Sequence, residues 1–102
     1  MYTYRAELFR CVDGDTAIFD VDLGFNVSIR IRARLLKVDT PPRGEPDYEI
    51  ATATLKHLLE KNKDDKGYVT IMTQRPDLYG RWLVDIEGVN DVLADRWPYK
   101  KG

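Results

Sequence analysis

Val27–Lys37 reads Val-Ser-Ile-Arg-Ile-Arg-Ala-Arg-Leu-Leu-Lys, and this stretch decides the fold. Ser28, Arg30, Arg32 and Arg34 alternate with Ile29, Ile31, Ala33 and Leu35. Successive side chains of a strand point to opposite faces, so the alternation predicts a long strand with one basic and one apolar face. Upstream, residues 4–12 alternate loosely and carry Tyr, Phe and Val, which predicts a first strand. Asp13-Gly14 is a tight-turn signal, and residues 15–22 read as the hairpin partner. Leu23-Gly24-Phe25-Asn26 makes the next turn and leads into the decisive strand.

Downstream, Thr40 to Asp47 holds three prolines and a glycine and reads as a loop. A helix is expected from Pro46 or Asp47, with Asp47 as its N-cap and Ile50, Thr54, Leu55, Leu58 and Leu59 as its apolar stripe. The charged run Lys61 to Gly67 ends it as a solvated loop. Residues 68–73 read as strand four, 75–80 as a loop and 81–87 as strand five. Asn90 or Asp91 is placed to cap a last short helix carrying Val92, Leu93 and Trp97. Three meandering strands, a helix and two further strands is the chain order of an OB-fold. The expected fold class is therefore mainly β (α+β): a five-stranded OB-fold barrel with one helix between strands 3 and 4 and a short C-terminal helix. A length of 102 residues suits one domain spanning 1–102.

Composition narrows the classes. At 43% hydrophobic and 32% charged, the chain reads as soluble and globular. No run approaches the roughly 18 apolar residues of a membrane span, so no membrane partner is expected. The N-terminal residues lack the apolar core of a secretory signal, which makes the cytoplasm the expected compartment. The single cysteine, Cys11, cannot form an internal disulfide and reads as a half-buried small apolar residue. With one Cys and one His (His57, on the predicted helix surface), the usual zinc sites are excluded. A net charge of −1 argues against a generally basic nucleic-acid binder, yet leaves room for a locally basic cleft. No long apolar seam is visible, and a monomer is expected.

The residues that carry chemistry flank the decisive strand. Asp15 and Asp39 are hard oxygen donors of the kind Ca²⁺ or Mg²⁺ prefers, each at or near a strand end. Taken singly, each also suits a turn. Arg34 and Arg81 are the complement, because guanidinium groups grip phosphate bidentately and stabilise charge developing on its oxygens. Arg30 and Arg32 read equally as a solvated strand face. Tyr79 offers a ring for stacking or for the core, and Trp82 and Trp97 read as packing residues.

Three motifs stand in order: Val12-Asp13-Gly14-Asp15-Thr16, Arg34-Leu35-Leu36-Lys37-Val38-Asp39-Thr40-Pro41 and Asp77-Leu78-Tyr79-Gly80-Arg81. Together they resemble the staphylococcal-nuclease (thermonuclease) family, over about residues 4 to 97. The Leu23-Gly24-Phe25 hairpin is similar to versions carried by phages and bacteria. The resemblance implies an OB-fold enzyme that cleaves phosphodiesters in DNA or RNA, usually with Ca²⁺, with a single-stranded substrate the expected form. It implies that Asp15, Asp39 and the backbone carbonyl of Thr40 hold the ion. It also implies that Arg34 and Arg81 hold the reacting phosphate, and that Asp77 and Tyr79 border the nucleotide pocket. One position departs. The family places a glutamate directly after Asp-Thr-Pro as general base, and here Pro42 stands there. Glu45 and Glu49 are the nearest substitutes. A nucleic-acid-binding module with little or no catalysis is the alternative this departure leaves open. A second departure is that the family's final helix is missing or very short.

Overall fold

The computed structural model describes residues 2–76 and 81–99. Its elements are β1 (Tyr2–Cys11), β2 (Thr16–Asp22), β3 (Ser28–Leu35), α1 (Tyr48–Asn62), β4 (Val69–Pro76), β5 (Trp82–Ile86) and α2 (Asn90–Arg96). The strands close into a barrel in the order β1-β2-β3-β5-β4. All neighbours are antiparallel except β3 and β5, which run parallel. This is the expected five-stranded mixed barrel, with α1 between β3 and β4 and a short C-terminal helix.

Alternation explains the barrel wall. Phe19 and Val21 of β2, Ile31, Ala33 and Leu35 of β3 and Val84 and Ile86 of β5 point inward and are buried. Burying a side chain of that size stabilises by about 1.5–3 kcal/mol. The intervening residues of β3, Arg30, Arg32 and Arg34, form the outer face, as their spacing requires. Ile29 departs from expectation and is 45% exposed, because it belongs to the hairpin end beyond the closed part of the barrel.

The helices differ from expectation in detail. The buried face of α1 is Ala51, Leu55, Leu58 and Leu59, whereas Ile50 is 47% exposed. One residue is 100° around a helix, so a stripe starting at position 51 turns residue 50 to the side. The small Ala51 is what fits there: a Cβ on Gly14 would lie 2.7 Å from the Ala51 Cβ and 2.8 Å from Thr40 side-chain atoms. Glycine is thus required at position 14 by close approach. Asp47 stands at the N-cap, but its side chain makes no cap bond. Its carbonyl accepts the Ala51 N–H instead. The turn into the helix is fixed by Tyr48, whose hydroxyl donates to the Val12 carbonyl at 2.8 Å. β4 extends to Pro76, beyond the expected end at 73, with a register irregularity between Thr73 and Pro76 that accommodates the proline.

The cap of α2 is Val89, not Asn90 or Asp91. Asn90 is buried and serves as a clasp. Its Oδ1 accepts the Ile86 N–H, and its Nδ2 donates to the Leu36 and Val84 carbonyls. One side chain therefore ties α2 to β5 and to the exit of β3. Asn90→Ala should cost about 2–4 kcal/mol, because buried backbone groups lose their partner. Chemical denaturation should show a lower midpoint with an unchanged slope. Among the described residues, no helix is long and apolar enough to cross a membrane.

Candidate phosphate and metal site

Three segments meet at one end of β3. The first is the turn at residues 12–15, closed by Val12 and Asp13 N–H groups donating to the Thr16 carbonyl. The second is the exit of β3, where Lys37 adopts a left-handed φ of 65° and turns the chain so that Asp39 follows at once. The third is the segment after α2. Val38 bridges Pro98, the Asp39 N–H donates to the Trp97 carbonyl, and the Tyr99 N–H donates to the Lys37 carbonyl. Residues 97–99 thus brace the backbone on which Asp39 sits.

Arg34 joins these segments. Its Nη1 donates to the Leu35 carbonyl at 2.9 Å and the Val38 carbonyl at 2.6 Å, clamping the turn. Its Nη2 lies 3.5 Å from Asp15 Oδ2 and 3.8 Å from Asp39 Oδ1. Those separations give attraction without strong hydrogen bonds. Asp15 is nearly buried. Its Oδ2 accepts the Thr40 N–H at 3.1 Å, its Oδ1 accepts the Thr16 hydroxyl at 3.0 Å, and its backbone carbonyl accepts the Leu35 N–H. Asp39 is about half exposed.

Charge is concentrated on one side of this turn. Burial, reinforced by the hydrogen bond and the charge of Asp15, pushes the Asp13 carboxyl up to about 6. A raised carboxyl pKa means that the folded chain binds the proton more tightly than the unfolded chain does. Without divalent ions, this group's contribution to stability falls as pH rises from about 4 through about 6. Asp13→Asn should remove that loss. Its carbonyl can still accept the Asp15 N–H that Asp13 now holds at 3.1 Å. In chelator, the variant should be more stable than wild type by about 1 kcal/mol near pH 8, after discounting for water around a half-buried group. The difference should vanish near pH 4 in thermal or urea unfolding.

Asp15 and Asp39 are the oxygen donors here of the type a hard cation takes. Asp15 and Asp39 are both within 4 Å of one nitrogen, so they converge on a common space. The Thr40 hydroxyl, packed against Gly14, is buried without a hydrogen-bond partner. Among the described residues, no group of three or more His, Cys, Asp and Glu stands close enough together to hold an ion. Two carboxylates and a neutral oxygen suit an ion that keeps several waters.

Beside Asp39 opens a groove of about 300 Å³, lined among others by Thr40, Pro42, Glu45, Arg96 and Trp97. Glu45 sits on this groove, and its N–H donates to the Pro42 carbonyl at 3.1 Å. Glu49 does not line it; it lies exposed in the first turn of α1. Arg96, whose guanidinium stacks on the Trp97 ring at 4.5 Å, was not anticipated. Residues 97–99 fold back against β3 through backbone pairing, which leaves no side-chain signal. Arg81 immediately precedes β5. In the β3–β5 pairing Ala33 faces Trp82 and Arg34 faces Leu83, so Arg81 stands at the chain position just before the paired stretch. Asp77 and Tyr79 lie outside the described residues. Cys11 is half-buried, with its thiol pushed up by burial, and His57 is on the exposed side of α1; neither enters the site.

No protein-family model matches this sequence, and a search of curated proteins found no match either. The chain is an OB-fold-like barrel consistent with the broad nuclease and OB superfamily, an architecture able in general to bind nucleic acid.

Proposed function

We propose that this protein is a small metal-dependent nuclease that hydrolyses phosphodiester bonds in single-stranded DNA or RNA, with Ca²⁺ or another divalent cation. The convergence of Asp15 and Asp39 on Arg34 Nη2 carries this reading. The three motifs that resemble the thermonuclease family support it. In this reading Asp15, Asp39 and Thr40 hold the ion, and Arg34 and Arg81 hold the phosphate. Asp77 and Tyr79 border the nucleotide. A bound hard cation would polarise a phosphoryl oxygen and lower the pKa of a water. Arg34 has Nη1 committed to two carbonyls and Nη2 beside the two carboxylates, and in this reading its guanidinium meets the anion next to the ion. Its fixed position lets it stabilise charge without reorganising. Glu45, which lines the same groove as Asp39, accepts the proton of the attacking water. The protein works as a monomer, in the cytoplasm of a bacterial or phage-infected cell.

A second reading is favoured by one residue. Pro42 supplies no proton acceptor where the resembling family has glutamate, and this suits a binding module with little or no catalysis. The two readings separate in one experiment. Single-stranded DNA and RNA are incubated with concentrated protein and Ca²⁺, Mg²⁺ or Mn²⁺, and binding is followed in parallel. The nuclease reading expects ion-dependent cleavage that chelator stops. Binding without cleavage under any ion would establish the module, and a flat salt response of binding would count against both.

A further inference from the structure

The outer face of the barrel carries a second basic feature beyond the site. Strand pairing sets Arg10 of β1 opposite Ile18 of β2, and Ile18 opposite Arg32 of β3. Neighbouring strands are about 4.8 Å apart, so the row crosses the sheet beside Thr16 and Arg34, the next pair along the strands. Arg10 and Arg32 are both exposed. Among the described residues, neither has a carboxylate within ion-pair distance. Arg30, one position further along the same face of β3, behaves differently. It is bound by Asp20 at 2.8 Å and stacked on Phe9 at 3.7 Å.

The face is therefore graded. At the hairpin end, Glu7 faces Asp20, Asp22 follows, and Arg30 is neutralised. At the site end, Arg10 and Arg32 keep their charge available on either side of a half-buried isoleucine. Although the net charge of the chain is −1, Arg10 and Arg32 stand in one row beside Arg34. That arrangement complements a polyanion that follows a groove or face rather than a single small anion.

We propose that Arg10 and Arg32 form a phosphate track that holds the nucleic-acid backbone one or more nucleotides away from the phosphate at Arg34, with Ile18 packing beneath a sugar or base. The proposal rests on the nucleic-acid reading of the site and narrows its substrate class to strands long enough to reach across β1, β2 and β3. The acidic hairpin end bounds the track, so the strand runs over Arg32 and Arg10 and not towards Asp20 and Asp22.

The test compares wild type with the double variant Arg10→Gln, Arg32→Gln. Both positions are exposed, and unfolding measurements should show equal stability. Binding of a dinucleotide and of a single strand of about a dozen nucleotides is measured by fluorescence anisotropy over a salt series. For the long strand, the variant should bind several-fold more weakly at low salt. Its log–log salt slope should be shallower by about 1.4, or about 0.7 for each lost phosphate contact. Dinucleotide binding should be unchanged. A variant that matches wild type on the long strand would overturn the track alone. Equal weakening for both lengths would also overturn it, since these arginines would then serve the central phosphate. Wild type that binds neither ligand would overturn the nucleic-acid reading and the track together.

Discussion

Arg34→Ala should lower cleavage by about 10²–10³ at saturating ion, the loss expected when one fixed electrostatic donor is removed. It should also destabilise the fold by about 3–5 kcal/mol, the cost of leaving a mostly buried charge unpaired. Both effects come from the same geometry. Nη1 closes the turn through the Leu35 and Val38 carbonyls, while Nη2 stands between Asp15 and Asp39. Removal leaves two carbonyls without their donor and sets two carboxylates against each other. Arg34→Lys separates the roles. It retains a cation near the carboxylates but cannot bridge two carbonyls and an anion at once, so it should recover stability more than rate. If Arg34→Lys restored full cleavage, a planar phosphate clamp at this position would be excluded.

Pro42→Glu should raise cleavage by about 10²–10⁴, the usual contribution of a general base. Position 42 is exposed and lines the groove beside Asp39, so a carboxylate there can reach the same space. The carbonyl at 42 still accepts the Glu45 N–H, and the position is exposed. Releasing the proline ring should cost only about 0.4–1 kcal/mol through the unfolded chain. Pro42→Gln has the same shape without a basic oxygen and should give no comparable gain. In wild type, Glu45→Gln should lower the residual rate, because Glu45 lines the groove beside Asp39. A Pro42→Glu protein no faster than wild type, with cleavage still measurable, would show that proton removal does not limit the reaction.

The fold was legible in the sequence because β3 alternates cleanly. Its inward Ile31, Ala33 and Leu35 and outward Arg30, Arg32 and Arg34 define the wall, and the order of elements then defines the barrel. In α1 the buried Leu55, Leu58 and Leu59 are as expected, but Ala51 and not Ile50 begins the buried face, since propensity cannot tell that Ala51 must fit under Gly14. Asn90 looked like a cap because Asn favours caps, yet tertiary partners at Leu36 and Val84 claim its amide. At the site, Asp15, Arg34 and Asp39 could be paired from their motifs. Arg96 and the brace from residues 97–99 could not, because backbone pairing across some sixty residues leaves no local pattern.

The most direct measurement is calorimetric titration of Ca²⁺ into the protein, with and without a phosphorothioate oligonucleotide. A phosphate placed beside Asp15 and Asp39 is repelled unless a cation neutralises them, so ion and strand should each tighten the binding of the other. The predicted result is a single Ca²⁺ site whose affinity rises when the oligonucleotide is present, and which Asp39→Asn weakens and Asp15→Asn abolishes. No Ca²⁺ binding at millimolar ion, with the oligonucleotide bound equally well in chelator, would contradict a joint metal and phosphate site at Arg34.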